Sequence, residues 1–183
     1  MRGAIRVAYA DPPYVGYAKY YKDHPDFDGE VDHKRLIELL CDEYTDGWAL
    51  SCHSPSLRVL LPMCPKDVRV MAWVKPFCSF KPNVNPAYAW EPIIVRGGRK
   101  RARKQITVRD WVSCNITLKK GLVGVKPDDV CHWLFAGLNL RLGDTLVDLF
   151  PGSGAVGRAF DSFVSRVGEQ GDLALQSKPT GGE

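Results

Sequence analysis

Short apolar runs and longer amphipathic stretches follow one another along the chain and predict strands and helices in alternation. The apolar runs have the length and the β-branched and aromatic content of buried strands. They predict strands at 4–10, 48–53, 68–75, 88–95 and 145–150.

Apolar residues at helical spacing predict a helix over 31–44, and further helices are expected near 55–62 and 155–164. Another helix is expected to begin at Pro127, because proline suits the first helical position. Its inward-facing residues are predicted to be Val130, Leu134, Leu138 and Leu142. The segment 106–112 is ambiguous between helix and strand.

This alternation is typical of an α/β protein with a mainly parallel sheet and helices on both faces. At 183 residues the chain is long enough for one good core and short for two. We therefore expect a single domain over 1–165 and a flexible tail over 166–183. No apolar run reaches the roughly 18 residues that a membrane helix needs, and no secretory signal is evident, so a cytoplasmic protein is expected.

The first strand runs directly into Asp11, Pro12, Pro13 and Tyr14. Neither proline can donate a backbone N–H, and each fixes its own φ, so nearby carbonyls are held without a local partner. The Asp11 carboxylate and the Pro12 carbonyl then form a rigid pair of acceptors beside the flat ring of Tyr14. Such a group suits an exocyclic amine on a nucleobase, although a plain proline-rich turn has the same residues.

A second motif lies near the other end of the chain. The strand 145–150 leads into a glycine turn, Pro151-Gly-Ser-Gly154, and then into a helix. A strand, a glycine turn and a helix N-terminus let the backbone approach a ligand closely and offer N–H groups to it. The glycines also satisfy the dinucleotide-binding pattern, which keeps a nucleotide-binding oxidoreductase open as an alternative.

Together the two motifs resemble the DNA amino-methyltransferases that methylate the N6 of adenine or the N4 of cytosine. The catalytic motif precedes the cofactor motif, as in the permuted class often called beta, and the chain is similar to small methylases encoded by bacteriophages. The resemblance covers roughly residues 4–163. It implies a Rossmann-like methyltransferase fold, S-adenosylmethionine as the cofactor and DNA as the partner.

The resemblance also assigns residues. It implies that the catalytic loop, residues Asp11, Pro12, Pro13 and Tyr14, holds the target base. It places the cofactor against Asp148, Phe150, Gly152, Ser153 and Gly154, with Lys126 and Pro127 closing over its methionine end. Asp before Pro-Pro favours adenine N6 over cytosine N4. A catalytically inactive methylase fold that binds nucleic acid stays open, as do the recognition sequence and the choice between DNA and RNA.

The net charge of +4 is unevenly distributed. Residues 96–105, which we call the basic loop, carry six cations and no acid, so the rest of the chain is slightly negative. A glycine-containing arginine cluster between two strands predicts a phosphate contact. The residues assigned to it are Arg96, Arg99, Lys100, Arg101, Arg103 and Lys104.

Six cysteines and four histidines show no zinc-binding spacing, so no metal is expected. Related methylases continue past the cofactor helix into a strand whose terminal acid binds the ribose. Here Glu169 and Asp172 are the acids that remain, and neither follows an apolar strand. We therefore expect a fold truncated after the cofactor-loop helix, with the edge of strand 145–150 covered either by self-association or by the tail after Ser165.

Overall fold

The computed structural model describes residues 3–22, 29–78, 82–117 and 125–176. Its strands are β1 (Arg6–Ala10), β2 (Gly47–Ser51), β3 (Arg69–Val74), β4 (Trp90–Gly97), β5 (Trp111–Ser113) and β6 (Thr145–Asp148). Its α-helices are α1 (His33–Glu43), α2 (Leu57–Leu60), α3 (Asp128–Gly137) and α4 (Ala155–Gln176). Every strand predicted from the sequence is present, and the ambiguous segment ends in β5.

The strands form one six-stranded sheet in the order β5-β3-β4-β2-β1-β6. β1 pairs in parallel with β2 and β6, and β3 pairs in parallel with β5. β4 is antiparallel to both of its neighbours, β2 and β3. Five strands therefore run in one direction, which confirms the expected mainly parallel sheet, and β4 alone runs in the opposite direction.

Both faces of the sheet are covered, because β1 contributes alternate residues to two separate apolar cores. Val7 and Tyr9 belong to the core beneath α3 and α4. Ala8 and Ala10 belong to the core beneath α1 and α2. The result is three layers with the sheet in the middle, as the alternating pattern predicted.

Local sequence explains where α1 and α3 begin. The Asp32 carboxylate caps α1 by accepting the backbone N–H of Arg35 at 3.0 Å. Pro127 lies one position before α3, and two acids, Asp128 and Asp129, occupy the first turn, where the helix dipole favours them.

Two predictions about helix ends were wrong. α3 ends at Gly137, and Asn139 then adopts a left-handed φ of 57°, so Leu142 lies in the turn before β6 and is 68% exposed instead of inward-facing. α4 runs to Gln176, so 166–176 continue a helix and are not an irregular tail. Its first turns are anchored by Val156, Ala159 and two partly buried phenylalanines in the core beneath α3 and α4, from which the helix continues. The last seven residues, 177–183, lie outside the described part of the chain.

β6 has one neighbour, β1, within the described sheet. The single domain over 1–165 and the possible homo-oligomer stay predictions. Over the described ranges, no helix is long and apolar enough to cross a membrane.

A buried ion pair joins the segments that precede β1 and β6. The Asp144 carboxylate accepts the backbone N–H groups of Ile5 at 2.9 Å and Arg141 at 2.8 Å, and it also pairs with the guanidinium of Arg99. The side chains of Asp144 and Arg99 are 1% and 9% exposed. This network fixes the start of both strands.

We predict that Asp144→Ala lowers the free energy of unfolding by about 3–5 kcal/mol, because it leaves a buried cation without its carboxylate. Asp110→Ala is the matched control, since Asp110 pairs with Arg69 at 3.4 Å on the surface. In Asp110→Ala, the free energy of unfolding should fall by no more than about 1 kcal/mol. Denaturant titration of both variants measures the difference, and equal losses would contradict the structural role of Asp144.

Candidate active site

The mouth, as we call it, is the end of the sheet at which several strands terminate. Five strands point their carboxyl ends towards the mouth, and the antiparallel β4 begins there. The register of β1 and β6 pairs Tyr9 with Asp148, and the Tyr9 carbonyl accepts the N–H of Leu149 at 2.9 Å. The catalytic loop and the loop that follows β6 therefore leave the sheet side by side.

The catalytic loop presents two oxygen acceptors at the mouth. Pro12 is buried, and its carbonyl oxygen accepts no hydrogen bond from the described residues. The Asp11 side chain is 20% exposed, and its Oδ2 lies 2.6 Å from the Nζ of Lys126. The structure thus brings the two predicted acceptors together, but one carboxylate oxygen of Asp11 already has a cationic partner.

Asp11, Lys75, Glu91 and Lys126 form a charged cluster of alternating sign. Lys126 Nζ also lies 3.6 Å from Glu91 Oε2, and Glu91 Oε1 pairs with the ammonium of Lys75. The Lys126 side chain is only 6% exposed, so it is held almost entirely by these two carboxylates. Two cations and two anions leave the cluster without net charge, which is the arrangement that makes buried ions tolerable.

Three members of the cluster, Asp11, Glu91 and Lys126, have a pKa that differs clearly from the ordinary value. Burial raises the pKa of the Asp11 carboxyl above its ordinary value, and Lys126 opposes that rise. Burial alone would lower the pKa of Lys126, but the surrounding anions, Asp11 first, raise it well above the ordinary lysine value. Burial alone would raise the pKa of Glu91, but Lys126 and Lys75 together outweigh it and lower that pKa. At neutral pH, Lys126 is therefore protonated and Glu91 is ionised.

Four rings form an aromatic cluster next to the catalytic loop: Tyr14, Tyr17, His53 and Tyr88. The rings of Tyr14 and His53 stack with centroids 5.0 Å apart and planes within 4°. Tyr17 meets His53 edge-on at 5.0 Å, and Tyr88 lies 6.3 Å from it. Burial lowers the pKa of His53, so the ring stacked on Tyr14 is neutral at pH 7. One face of Tyr14 is thus covered by His53.

The loop after β6, residues 149–154, has the features of a ligand cradle. Asp148 Oδ1 accepts the N–H of Phe150 at 3.2 Å, while Oδ2 is buried and has no hydrogen-bond partner in the part of the chain that the structure describes. Gly152 and Gly154 have φ values of +44° and +70°, a region that other residues rarely adopt. A Cβ at Gly152 would have only the Phe150 carbonyl within 4 Å among the described residues, so the space beside Gly152 is open, whereas a Cβ at Gly154 would meet the Arg158 guanidinium at 3.0 Å. The loop therefore offers an unsatisfied carboxylate oxygen beside an open glycine turn.

Two residues assigned to the cofactor by resemblance have other contacts here. Lys126 Nζ reaches the catalytic loop, and its contacts are with Asp11 and Glu91, not with the glycine turn. Pro127 is the residue that precedes α3. These contacts place Lys126 beside the catalytic loop, and the role of both residues in closing over the cofactor stays a prediction.

The basic loop lies at the opposite end of the sheet from the mouth. Gly97 pairs with Gly47 at the start of β2, and Arg99 bonds to the Gly3 carbonyl at 3.0 Å, before β1 begins. The five residues of β1 separate that end from Asp11 by about 16 Å. The predicted phosphate contact is therefore not next to the catalytic loop.

Three of the six cations of the basic loop are used within the fold. Arg96 binds both oxygens of Asp67 at 2.9 and 3.1 Å. Arg101 donates to the carbonyls of Ile106, at 2.8 Å, and Ala136. Arg99 pairs with Asp144. These three arginines therefore have partners within the fold, and their assignment to phosphate stays a prediction. Lys100, Arg103 and Lys104 are exposed.

The sequence analysis did not identify Glu91. Glu91 stands at the start of the apolar run of β4, and a lone acid entering a buried strand was the available signal. Its position at the mouth follows from the reversed direction of β4, which the sequence did not reveal. No group of three or more potential metal ligands occurs in the described ranges.

Comparison with known proteins supports the architecture. Neither a protein-family model nor a curated protein sequence matches the chain. Among solved structures, the chain is similar to M1.HpyAVI in its SAM complex, with a TM-score of 0.56 and 14% identity over 88% of this chain and 79% of that one. A second structure of M1.HpyAVI gives a TM-score of 0.54 and 13% identity, over 88% and 78% of the two chains. The chain has a methyltransferase fold.

The charged cluster generates a prediction about titration. Because Lys126 opposes the effect of burial on Asp11, Lys126→Met should raise the pKa of the Asp11 carboxyl further. Asp148 is the internal control, since burial is the main cause of its raised pKa and Lys126 contributes least. Carboxyl ¹³C NMR titration of both residues measures the two shifts. A smaller shift at Asp11 than at Asp148 would contradict the direct pairing of Asp11 with Lys126.

Proposed function

We propose that this protein is a SAM-dependent DNA methyltransferase that methylates the exocyclic N6 amine of adenine. The observation that carries the proposal is the parallel pairing of β1 with β6, which sets the catalytic loop beside the glycine turn. A methyl donor on one loop and an amine on the other would meet at the mouth. Ligands of open α/β sheets bind at this edge, beyond the carboxyl ends of the strands.

The residues of the glycine turn fit the cofactor. M1.HpyAVI was solved as a SAM complex, and this chain shares its fold. The buried, unpaired Oδ2 of Asp148 needs a donor, and SAM carries an amino group and ribose hydroxyls. Gly152, Ser153 and Gly154 would line the cofactor's side of the open turn, with Phe150 beside it. When bound, SAM supplies an electrophilic methyl group on its sulfonium.

The catalytic loop supplies what an amine needs in order to attack such a methyl group. The N6 nitrogen of adenine is a poor nucleophile, because its lone pair is delocalised into the ring. If its two N–H groups donate to the Asp11 carboxylate and the Pro12 carbonyl, the nitrogen becomes more tetrahedral and its lone pair is freed. As the nitrogen bonds to the methyl carbon and the carbon–sulfur bond breaks, positive charge would develop on the nitrogen, where preorganised acceptors stabilise it until one N–H proton passes to the Asp11 carboxylate. The face of Tyr14 opposite His53 would stack the flipped base, a contact worth about 1–3 kcal/mol.

The nucleic acid would approach the mouth, not the basic loop. A cavity of about 220 Å³ opens beside the aromatic cluster and is lined in part by Tyr17, His53, Tyr88 and the exposed Arg58. Rings next to a cation suit unpaired bases and their phosphates. The cavity adjoins the Tyr14–His53 stack, so a strand leaving the base site would reach it first.

The N4 amine of cytosine remains the second candidate substrate, because it offers the same two N–H donors on a flat ring. The two acceptors of the catalytic loop do not distinguish it from adenine. Chemical analysis of the methylated base distinguishes the two substrates.

The proposal predicts methyl transfer from labelled SAM to enzymatically amplified, unmethylated DNA of mixed sequence. Asp11→Ala should lower turnover about 100- to 1000-fold, since the lost acceptor acts mainly in the transition state. Asp110→Ala makes the same substitution on the surface, next to β5, and should retain activity. Chromatography of the hydrolysed DNA should show N6-methyladenine. N4-methylcytosine would correct the base, and no label in DNA would contradict the function.

The location of the DNA gives a separate prediction. Arg58→Gln should reduce the slope of log affinity against log salt by about 0.9, as for one lost phosphate contact. Replacing Lys100, Arg103 and Lys104 together by Gln removes three exposed cations at the other end of the sheet and should change the slope less. Fluorescence anisotropy at several salt concentrations measures both. A larger change in the triple variant would place the DNA on the basic loop.

A further inference from the structure

Lys126 has two possible anionic partners and is bonded to only one of them. Its Nζ is 2.6 Å from Asp11 Oδ2 and 3.6 Å from Glu91 Oε2. The nearer contact is a charge-assisted hydrogen bond, and the longer one is not a hydrogen bond. Among the described residues, buried Glu91 Oε2 has no partner at hydrogen-bond distance, although the Lys126 ammonium with its three donors lies next to it and the Tyr14 hydroxyl also interacts with the Glu91 carboxyl. The structure therefore holds a cation on one carboxylate beside a vacant acceptor on another.

This arrangement affects the reaction proposed above. While Lys126 holds Oδ2, the Asp11 carboxylate is partly neutralised, and an incoming amine must compete with an ammonium group. The transition state would also develop its positive charge near a second cation. One oxygen of Asp11 is thus masked in the structure, and its carboxylate becomes a stronger acceptor for the amine when Lys126 moves away.

The buried side chain of Lys126 has little access to water, so its alternative partner must be close. Glu91 Oε2 is that partner: a shift of Nζ by about 1 Å would shorten the contact to the 2.7–2.9 Å of a charge-assisted hydrogen bond. Glu91 Oε1 stays with Lys75, so the carboxylate is already oriented to receive a second cation. Neither the net charge nor the water content of the cluster has to change.

We propose that Glu91 is a positioning residue that takes Lys126 from Asp11 when the substrate amine arrives. Lys126 then caps Asp11 in the free protein and is held by Glu91 during methyl transfer. The inference rests on the proposed function, because the base amine is what displaces Lys126. It adds a role for a residue of β4 that the catalytic and cofactor motifs do not include.

Glu91→Gln tests the inference, because it keeps the size of the side chain and removes its charge. Lys126 should then stay on Asp11, and kcat for methyl transfer to mixed-sequence DNA should fall by about tenfold or more. SAM affinity, measured by calorimetry, should stay within about twofold, since Glu91 lies on the base side of the mouth. If Glu91→Gln does not fold, Glu91→Asp replaces it, because the shorter acid keeps the charge but withdraws from Lys126.

The decisive comparison is the double variant Glu91→Gln/Lys126→Met. Assayed above the pKa of Asp11, which loss of Lys126 raises, the double variant should recover kcat by about tenfold relative to Glu91→Gln alone, an opposite-sign coupling between neighbours. If the cluster is merely structural, the second substitution adds to the damage and kcat falls again. That result, or equal kcat in the two variants, overturns the inference while wild-type transfer still stands. Absence of transfer by the wild-type protein overturns the proposed function and this inference with it.

Discussion

The parallel pairing of β1 with β6 is the constraint on which the rest of the site depends. Nearly the whole length of the chain separates the two strands, yet Tyr9 lies opposite Asp148. Because parallel strands end at the same edge, that single register places a loop of rigid acceptors beside an open glycine turn. The Asp144–Arg99 pair fixes the other end of the same two strands. A shift of one residue would turn every side chain of β6 to the opposite face.

Lys126 links the catalytic loop that follows β1 to the strand β4. It lies just before α3, and its ammonium reaches the catalytic loop and the reversed strand β4 at once. Two carboxylates share one buried cation, so the state of Asp11 depends on Glu91, although Asp11 follows β1 and Glu91 lies on β4, two strands that do not pair with each other. The same neutrality that keeps four buried charges tolerable also means that one cation can be exchanged between two anions at little cost.

Much of the fold and part of the site could be predicted from local sequence. The apolar runs, the proline before α3 and the two motifs at strand ends are local features, and each lies where it was expected. The direction of β4 is set by tertiary pairing, so the position of Glu91 at the mouth could not be predicted. Arg96, Arg99 and Arg101 look like a phosphate contact in sequence, but their partners are distant residues. The full length of α4 was not predicted, because the amino-acid composition of 166–183 suggested a tail, whereas the helix continues to Gln176.

A structure of the protein with S-adenosylhomocysteine, the demethylated cofactor, and a DNA duplex that it methylates would test the central claim most directly. The account predicts one flipped adenine whose N6 lies within about 3 Å of both an Asp11 carboxylate oxygen and the Pro12 carbonyl oxygen. The cofactor should lie on the glycine turn, with a donor on Asp148 Oδ2. A target base held elsewhere, or a cofactor bound away from the loop after β6, would contradict the account.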